Sequence, residues 1–320
     1  MLPQKAQITK LLSITVLLFF ATTFTQADEY KNGFDISNAT IPQDEILGGG
    51  PGKDGIPALS YPKFIPATRA IHLQNDDRVI GVKFNGIAKA YPLNILNWHE
   101  IVNDSIGDMQ YVVTFCPLCG TGMVFLAEAQ DMHLEFGVSV LLYNSDVLLY
   151  DRQSESLWSQ ILSKSVSGKM VDTKLTLLPS KHTTWSDWKQ NNPDTLVLSR
   201  KTGYFRNYDR NPYSGYGNST QLFFPAPSDS KDAKAFHPKE TILGININGM
   251  QKAYPFSELD KTGSIINDNV GGTEFIIQWN KDAQSASVSN MTGIEIPSVQ
   301  GFYFAWLAFY PQTTIYYFLD

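Results

Sequence analysis

The sequence predicts a mainly β fold: a β-rich α+β protein of two pseudo-repeated hairpin and sheet units, packed into one body with few short helices. Three observations lead there. Apolar residues alternate in short runs, turn pairs such as Asn-Gly separate the runs, and one stretch of fifteen residues occurs twice. Composition sets the bounds. With 320 residues, 43% hydrophobic and 18% charged, the chain can build one large core or two moderate ones. A net charge of -6 and the lack of any Lys/Arg run argue against a nucleic-acid partner.

Taken in order, the chain opens with Lys5 and Lys10, an apolar segment from Leu11 to Ala21, and Thr25-Gln26-Ala27 ahead of Asp28. This is the pattern of a cleaved signal peptide over residues 1–27. The apolar core is shorter than the roughly 20 residues of a spanning helix, so no stable membrane span is expected after cleavage. The mature protein is expected to be secreted or periplasmic. Residues 28–66, with Gly48-Gly49-Gly50 and repeated prolines, read as an arm over the surface of a β-rich domain covering 67–320.

Within that domain, Val79 to Leu93 (VIGVKFNGIAKAYPL) matches Ile242 to Phe256 (ILGININGMQKAYPF) with seven of fifteen positions identical. Ile101 to Phe115 then follows the pattern of Ile265 to Trp279, giving two units over 79–126 and 242–290. Each begins as a hairpin, with Asn85-Gly86 or Asn248-Gly249 suited to the positive φ angles of a type I′ turn. Asn103 to Gly107 predicts a second turn, and a reversal centred between Ile106 and Gly107 would set His99 opposite Thr114. Between the units, Met123 to Leu126, His133 to Leu142 and Val147 to Tyr150 read as strands. Thr184-Trp185-Ser186-Asp187 predicts a capped helix with Trp185 and Trp188 on its core face. The loop from Gly203 to Thr220 mixes Tyr, Gly and Asn, while Gly301 to Tyr310 is apolar and expected to close the core.

The candidate site lies in YVVTFCPLCGTGMVF, Tyr111 to Phe125, which holds the only two cysteines, Cys116 and Cys119. The first unit carries these thiols and Asn97-Trp98-His99-Glu100, and the second has neither His nor Cys in the equivalent regions. They are therefore dispensable for the shared scaffold. Gly120-Thr121-Gly122 is a poor helix start, which disfavours a thioredoxin-like thiolate. The knuckle resembles that of zinc ribbons, with His99 as nitrogen ligand and Glu100, Asp104, His133 or water filling the shell. Met123 adds a thioether that would favour copper, so copper and zinc are the candidate metals. A disulfide or thiol redox pair is the competing reading in an oxidising compartment. Arg152 is a candidate anion contact, and Tyr204 and Tyr216 are candidate ligand contacts in the aromatic loop.

The segments AYPLNILNWHEIVND, VVTFCPLCGTGMVF and FGVSVLLYNSDVLLYDRQSESLW resemble the DUF3179 family, extracytoplasmic proteins catalogued as a domain of unknown function. The resemblance spans roughly Ile71 to Tyr310 and supports grouping His99, Glu100, Cys116 and Cys119. It implies a secreted protein and leaves its activity open. The expected function is soft-metal binding or a metal-dependent redox role. The alternatives are a thiol-disulfide oxidoreductase and a secreted glycan- or peptide-binding module with a structural disulfide.

Overall fold

In the computed structural model, which describes residues 29–228 and 230–319, strands dominate and the four α-helices are short. The segment expected to be a signal peptide lies outside the described residues. Strand β1 (Arg78–Phe84) pairs antiparallel with β2 (Ile87–Pro92). Asn85 and Gly86 between them take φ of 51° and 79°, both positive as a type I′ turn requires. Pro92 caps helix α1 (Leu93–His99), where its fixed φ and missing donor cost nothing. The helix stops at Glu100, whose φ of 57° is uncommon for a residue with a side chain.

Strands β3 (Ile101–Ile106), β4 (Met109–Cys116) and β5 (Thr121–Leu126) follow as a meander. The first reversal is centred between Gly107 and Asp108, one residue later than the sequence predicts, so Ile101 and not His99 faces Thr114. Gly107, at φ 59°, supplies the turn, and His99 is drawn into the last turn of α1. β4 is buried on both faces, which is why its text is continuously apolar. Val112 and Cys116 point into one core cluster, while Tyr111, Val113 and Phe115 point into another.

Facing the Val112 side is a second sheet made from β6 (Phe136–Tyr143), β7 (Asp146–Asp151), β8 (Leu157–Ser159) and β9 (Lys164–Ser167), with Leu47–Gly48 on its edge. Phe34, Ile36 and Ile46 of the N-terminal arm are buried against Leu148 and Tyr150 of this sheet. The arm thus contributes core as well as cover. Next come β10 (Lys181–Thr184), α2 (Trp185–Asn191) and β11 (Leu196–Leu198), which flank the first hairpin, antiparallel to β1 and parallel to β2. The Thr184 hydroxyl caps α2 by accepting from the Asp187 amide at 3.3 Å.

The later half runs β12 (Thr241–Ile247), β13 (Met250–Pro255), α3 (Phe256–Leu259), β14 (Ile265–Val270), β15 (Thr273–Asn280), β16 (Ser285–Asn290), β17 (Val299–Phe302), α4 (Tyr303–Phe309) and β18 (Thr314–Ile315). Here β17 is antiparallel to β12 and β18 parallel to β13. Gly81 lies so close beneath Trp188 that a Cβ would come within 2.3 Å of the ring, and Gly244 beneath Trp306 within 2.5 Å. The indole N–H of Trp188 donates to Thr195 at 2.9 Å, and that of Trp306 to Thr313 at 3.0 Å. Gln300 on β17 pairs with Gly122 on β5, which joins the halves through one eight-stranded sheet.

Candidate metal centre

Cys116 ends β4 on the face that looks toward the second sheet, and Pro117 to Gly120 turn the chain so that Cys119 follows it. Across the core, Asn144 and Ser145 reverse the chain with φ of 50° and 69°, which brings Asp146 to the start of β7. The two sulfurs and an Asp146 carboxylate oxygen all lie within 4.8 Å of one another. The site is dry. Cys116, Cys119 and Asp146 are 2%, 0% and 1% exposed.

Both Asp146 carboxylate oxygens are oriented by the protein, Oδ2 by the backbone N–H of Ile161 at 3.2 Å and Oδ1 by the Thr121 hydroxyl at 3.3 Å. Gln160, fully buried, ties the same region together by donating to Thr114 at 2.8 Å and accepting from Thr121 at 2.7 Å. Burial pushes both thiols up, Cys119 well above the usual thiol range. It also raises the Asp146 carboxyl to about 7. Glu100 rises to about 8, first through burial and then through the charge of Asp146. Among the described residues, no ion pair involves Asp146 or Glu100. Two hydroxyls beside the cluster, Ser145 Oγ and Tyr216 Oη, are buried close to each other, and neither makes a well-formed hydrogen bond among the described residues.

The structure separates His99 from this cluster. Its ring is taken at both ends, Nδ1 by the Pro57 carbonyl and Nε2 by the Tyr208 hydroxyl, each at 2.7 Å. Burial lowers its pKa to about 4. Tyr204, half exposed, packs its ring 5.4 Å from that of His99. Glu100, next in sequence, is the residue that reaches the electrostatic field of Cys116 and Asp146. Asp104 belongs elsewhere: it takes Lys89 at 2.8 Å, Tyr91 at 2.5 Å and Tyr111 at 2.9 Å. Lys252 and Tyr254 meet Asp268 in the same way at 2.6 and 2.7 Å, in a half with no cysteine. That recurrence marks Asp104 as part of the scaffold.

Met123 is core, 1% exposed. Arg152 is committed to Asp54 and Glu135 at 3.0 and 3.2 Å, fastening the arm. Tyr216 is 4% exposed and lies against the thiols, with its pKa raised to about 12 by burial and then by Cys119. His133 is exposed and stands outside the cluster. The disulfide reading is corrected. Both cysteines are free, each aimed at the Asp146 side of the core. Asp146 and Gln160 escaped sequence reasoning, although an Asp opening so apolar a strand, YNSDVLLY, is a signal in itself.

Fold and site together define a β-rich protein with two thiols and a carboxylate enclosed between two sheets. The chain belongs to the DUF3179 family, described as protein of unknown function, whose model matches residues 53–294. No curated protein and no solved structure matches the chain. Among the described residues no helix is long and apolar enough to cross a membrane.

Proposed function

We propose that this protein is an extracytoplasmic metal binder that holds one thiophilic ion through Cys116 Sγ, Cys119 Sγ and the Asp146 carboxylate. The observation that carries the reading is a surplus of acid. Four ionisable acids, Cys116, Cys119, Asp146 and Glu100, share one dry region with no paired cation among the described residues. Burying such groups together is costly unless they stay protonated or a cation replaces their protons. A divalent ion answers that cost directly.

Two thiolates with a carboxylate are a mixed soft and hard donor set, which favours zinc over copper(I). Replacing the expected imidazole and thioether by Asp146 is what tilts the choice. Three protein ligands leave a fourth position for a water or a further donor. Such a water would be made more acidic by zinc, and Glu100 is the nearby carboxyl able to hold a proton. A metal-bound state also accounts for free thiols in an oxidising compartment.

The pair is poorly built for thiol-disulfide exchange. Both thiols are buried and raised in pKa, and neither opens a helix, the reverse of an activated cysteine. The test is metal analysis of the mature chain purified without chelator, with thiol titration before and after chelation. About one zinc per chain is expected, lost together with thiol protection in Cys116→Ser. Protein that carries no metal, takes up none, and shows freely reactive thiols defeats the reading.

A further inference from the structure

Next to the thiol turn lies a cleft of about 660 Å³, the size of a small-molecule site, lined by residues of both halves. The repeat supplies part of its lining in pairs. Arg78 opens β1 as Thr241 opens β12, and His182 stands opposite Ile80 as Gln300 stands opposite Leu243. All four residues line the cleft. Within each pair the first half contributes a nitrogen base and the second a neutral side chain. Because β12 begins without a cation, the shared scaffold has no need of Arg78 at this place.

Arg78 is half-buried and is the one permanent cation of the lining. Its guanidinium gives two of its five N–H groups to backbone carbonyls, those of Ala283 at 2.5 Å and Gln284 at 3.1 Å, and keeps the rest. Among the described residues, no carboxylate stands within ion-pair distance of it. The acids around it have other partners: Asp77 accepts from the Gln74 amide at 2.8 Å, Asp209 pairs with Arg200 at 2.5 Å and Asp187 with Lys181 at 3.0 Å. Burial lowers the guanidinium pKa to about 10, and the charge of Asp187 recovers only part of that loss. A cation drawn out of water without a counter-ion is costly, and a bound anion removes the cost.

We infer that this cleft binds a small organic carboxylate with an apolar body, its head on the guanidinium of Arg78. A planar carboxylate meets a guanidinium through charge-assisted hydrogen bonds. The rest of the lining selects the body. Phe115, Pro117 and Phe302 offer apolar surface that a bare inorganic anion would leave wet. Gly120 keeps Phe302 in place, since a Cβ there would press to 3.1 Å against its ring. His182 adds no second charge: a carbonyl can only accept, so its Nε2–H donates to Gly122 at 3.1 Å, and burial, followed by the charge of Arg78, lowers its pKa to about 3. The cysteines are not part of the lining, so this site stands whether or not they hold an ion.

The test is calorimetric titration of the mature chain with benzoate and phenylacetate, beside benzamide as the uncharged match, acetate as the head alone and inorganic phosphate as a free anion. Saturable binding of benzoate or phenylacetate is expected, at least about tenfold tighter than that of the other three probes and weakened about tenfold or more by Arg78→Met. Should that variant fail to fold, Arg78→Lys keeps the charge but loses the fork and is expected to weaken binding as well. The comparison of benzoate with benzamide needs no variant. The inference is overturned by no saturable binding of either aromatic carboxylate up to about 10 mM, by benzamide, acetate or phosphate binding as tightly as they do, or by affinity unchanged in folded Arg78→Met. Binding that disappears in folded Cys116→Ser also overturns it, because the anion would then sit on the metal centre.

Discussion

The carboxylate of Asp146, at the start of β7 in one sheet, lies within 4.8 Å of the Cys119 sulfur, in the turn between two strands of another. That contact closes the core between a turn in the first half and a hairpin that the second half lacks. Asp146→Asn keeps the shape and removes the charge a metal would meet. Zinc affinity, measured by competition with a chromophoric chelator, is expected to fall by at least about tenfold. Equal affinity in the two proteins would remove Asp146 from the ligand set.

The carboxyls give the metal-free protein a pH signature. Asp146 and Glu100 have folded pKa values raised to about 7 and about 8, so their contribution to stability is complete below the unfolded carboxylate range and is lost as pH rises through those values. Denaturant midpoints of metal-free protein are therefore expected to fall between pH 5 and pH 9, by about 1 kcal/mol per pH unit for each group while it titrates. Zinc should reverse the trend, because binding releases protons and tightens with pH. A flat profile would mean that neither carboxyl is held protonated.

On the acid side, buried His99 and His182 act in the opposite sense. Their folded pKa values are lowered to about 4 and about 3, chiefly by burial, so the stability they contribute is present above the ordinary histidine range and lost as pH falls toward those values. His99→Gln should remove part of the acid-induced loss and cost about 1–3 kcal/mol at neutral pH through its ties to Pro57 and Tyr208. Metal stoichiometry in this variant should be unchanged. Loss of metal would return His99 to the ligand set.

The Lys-Tyr-Asp clusters separate scaffold from site. The Lys89–Asp104 pair is under 10% exposed at both side chains, so Asp104→Asn should destabilise by about 3 kcal/mol. Its counterpart Lys252–Asp268 is about 20% exposed, and Asp268→Asn should cost less, about 1 kcal/mol. Urea unfolding measures both, and neither change should alter metal content. A metal defect in Asp104→Asn with normal stability would contradict the structural role.

Much of the scaffold was legible in the text. Asn85-Gly86 and Asn248-Gly249 specify their turns because positive φ at two successive positions suits few other residues. Thr184 and Asp187 specify the start of α2 through one local hydrogen bond. The shared letters Gly81 and Gly244 have a physical reason that the sequence did not display, since each is the floor beneath a tryptophan more than sixty residues further along the chain. The site was half legible. Rarity pointed to Cys116 and Cys119, while proximity in sequence wrongly favoured His99 as their partner.

By itself, the sequence determined the β-rich class, the local turns and the confinement of both thiols to one half of the molecule, all properties set by neighbouring residues and by composition. The tertiary structure alone decided which groups meet the thiols. A shift of two residues in register left His99 in the last turn of α1, against Pro57 and Tyr208, and the packing of one sheet over another brought in Asp146. Partners across a core are chosen by how sheets stack, and no local pattern in the chain records that choice.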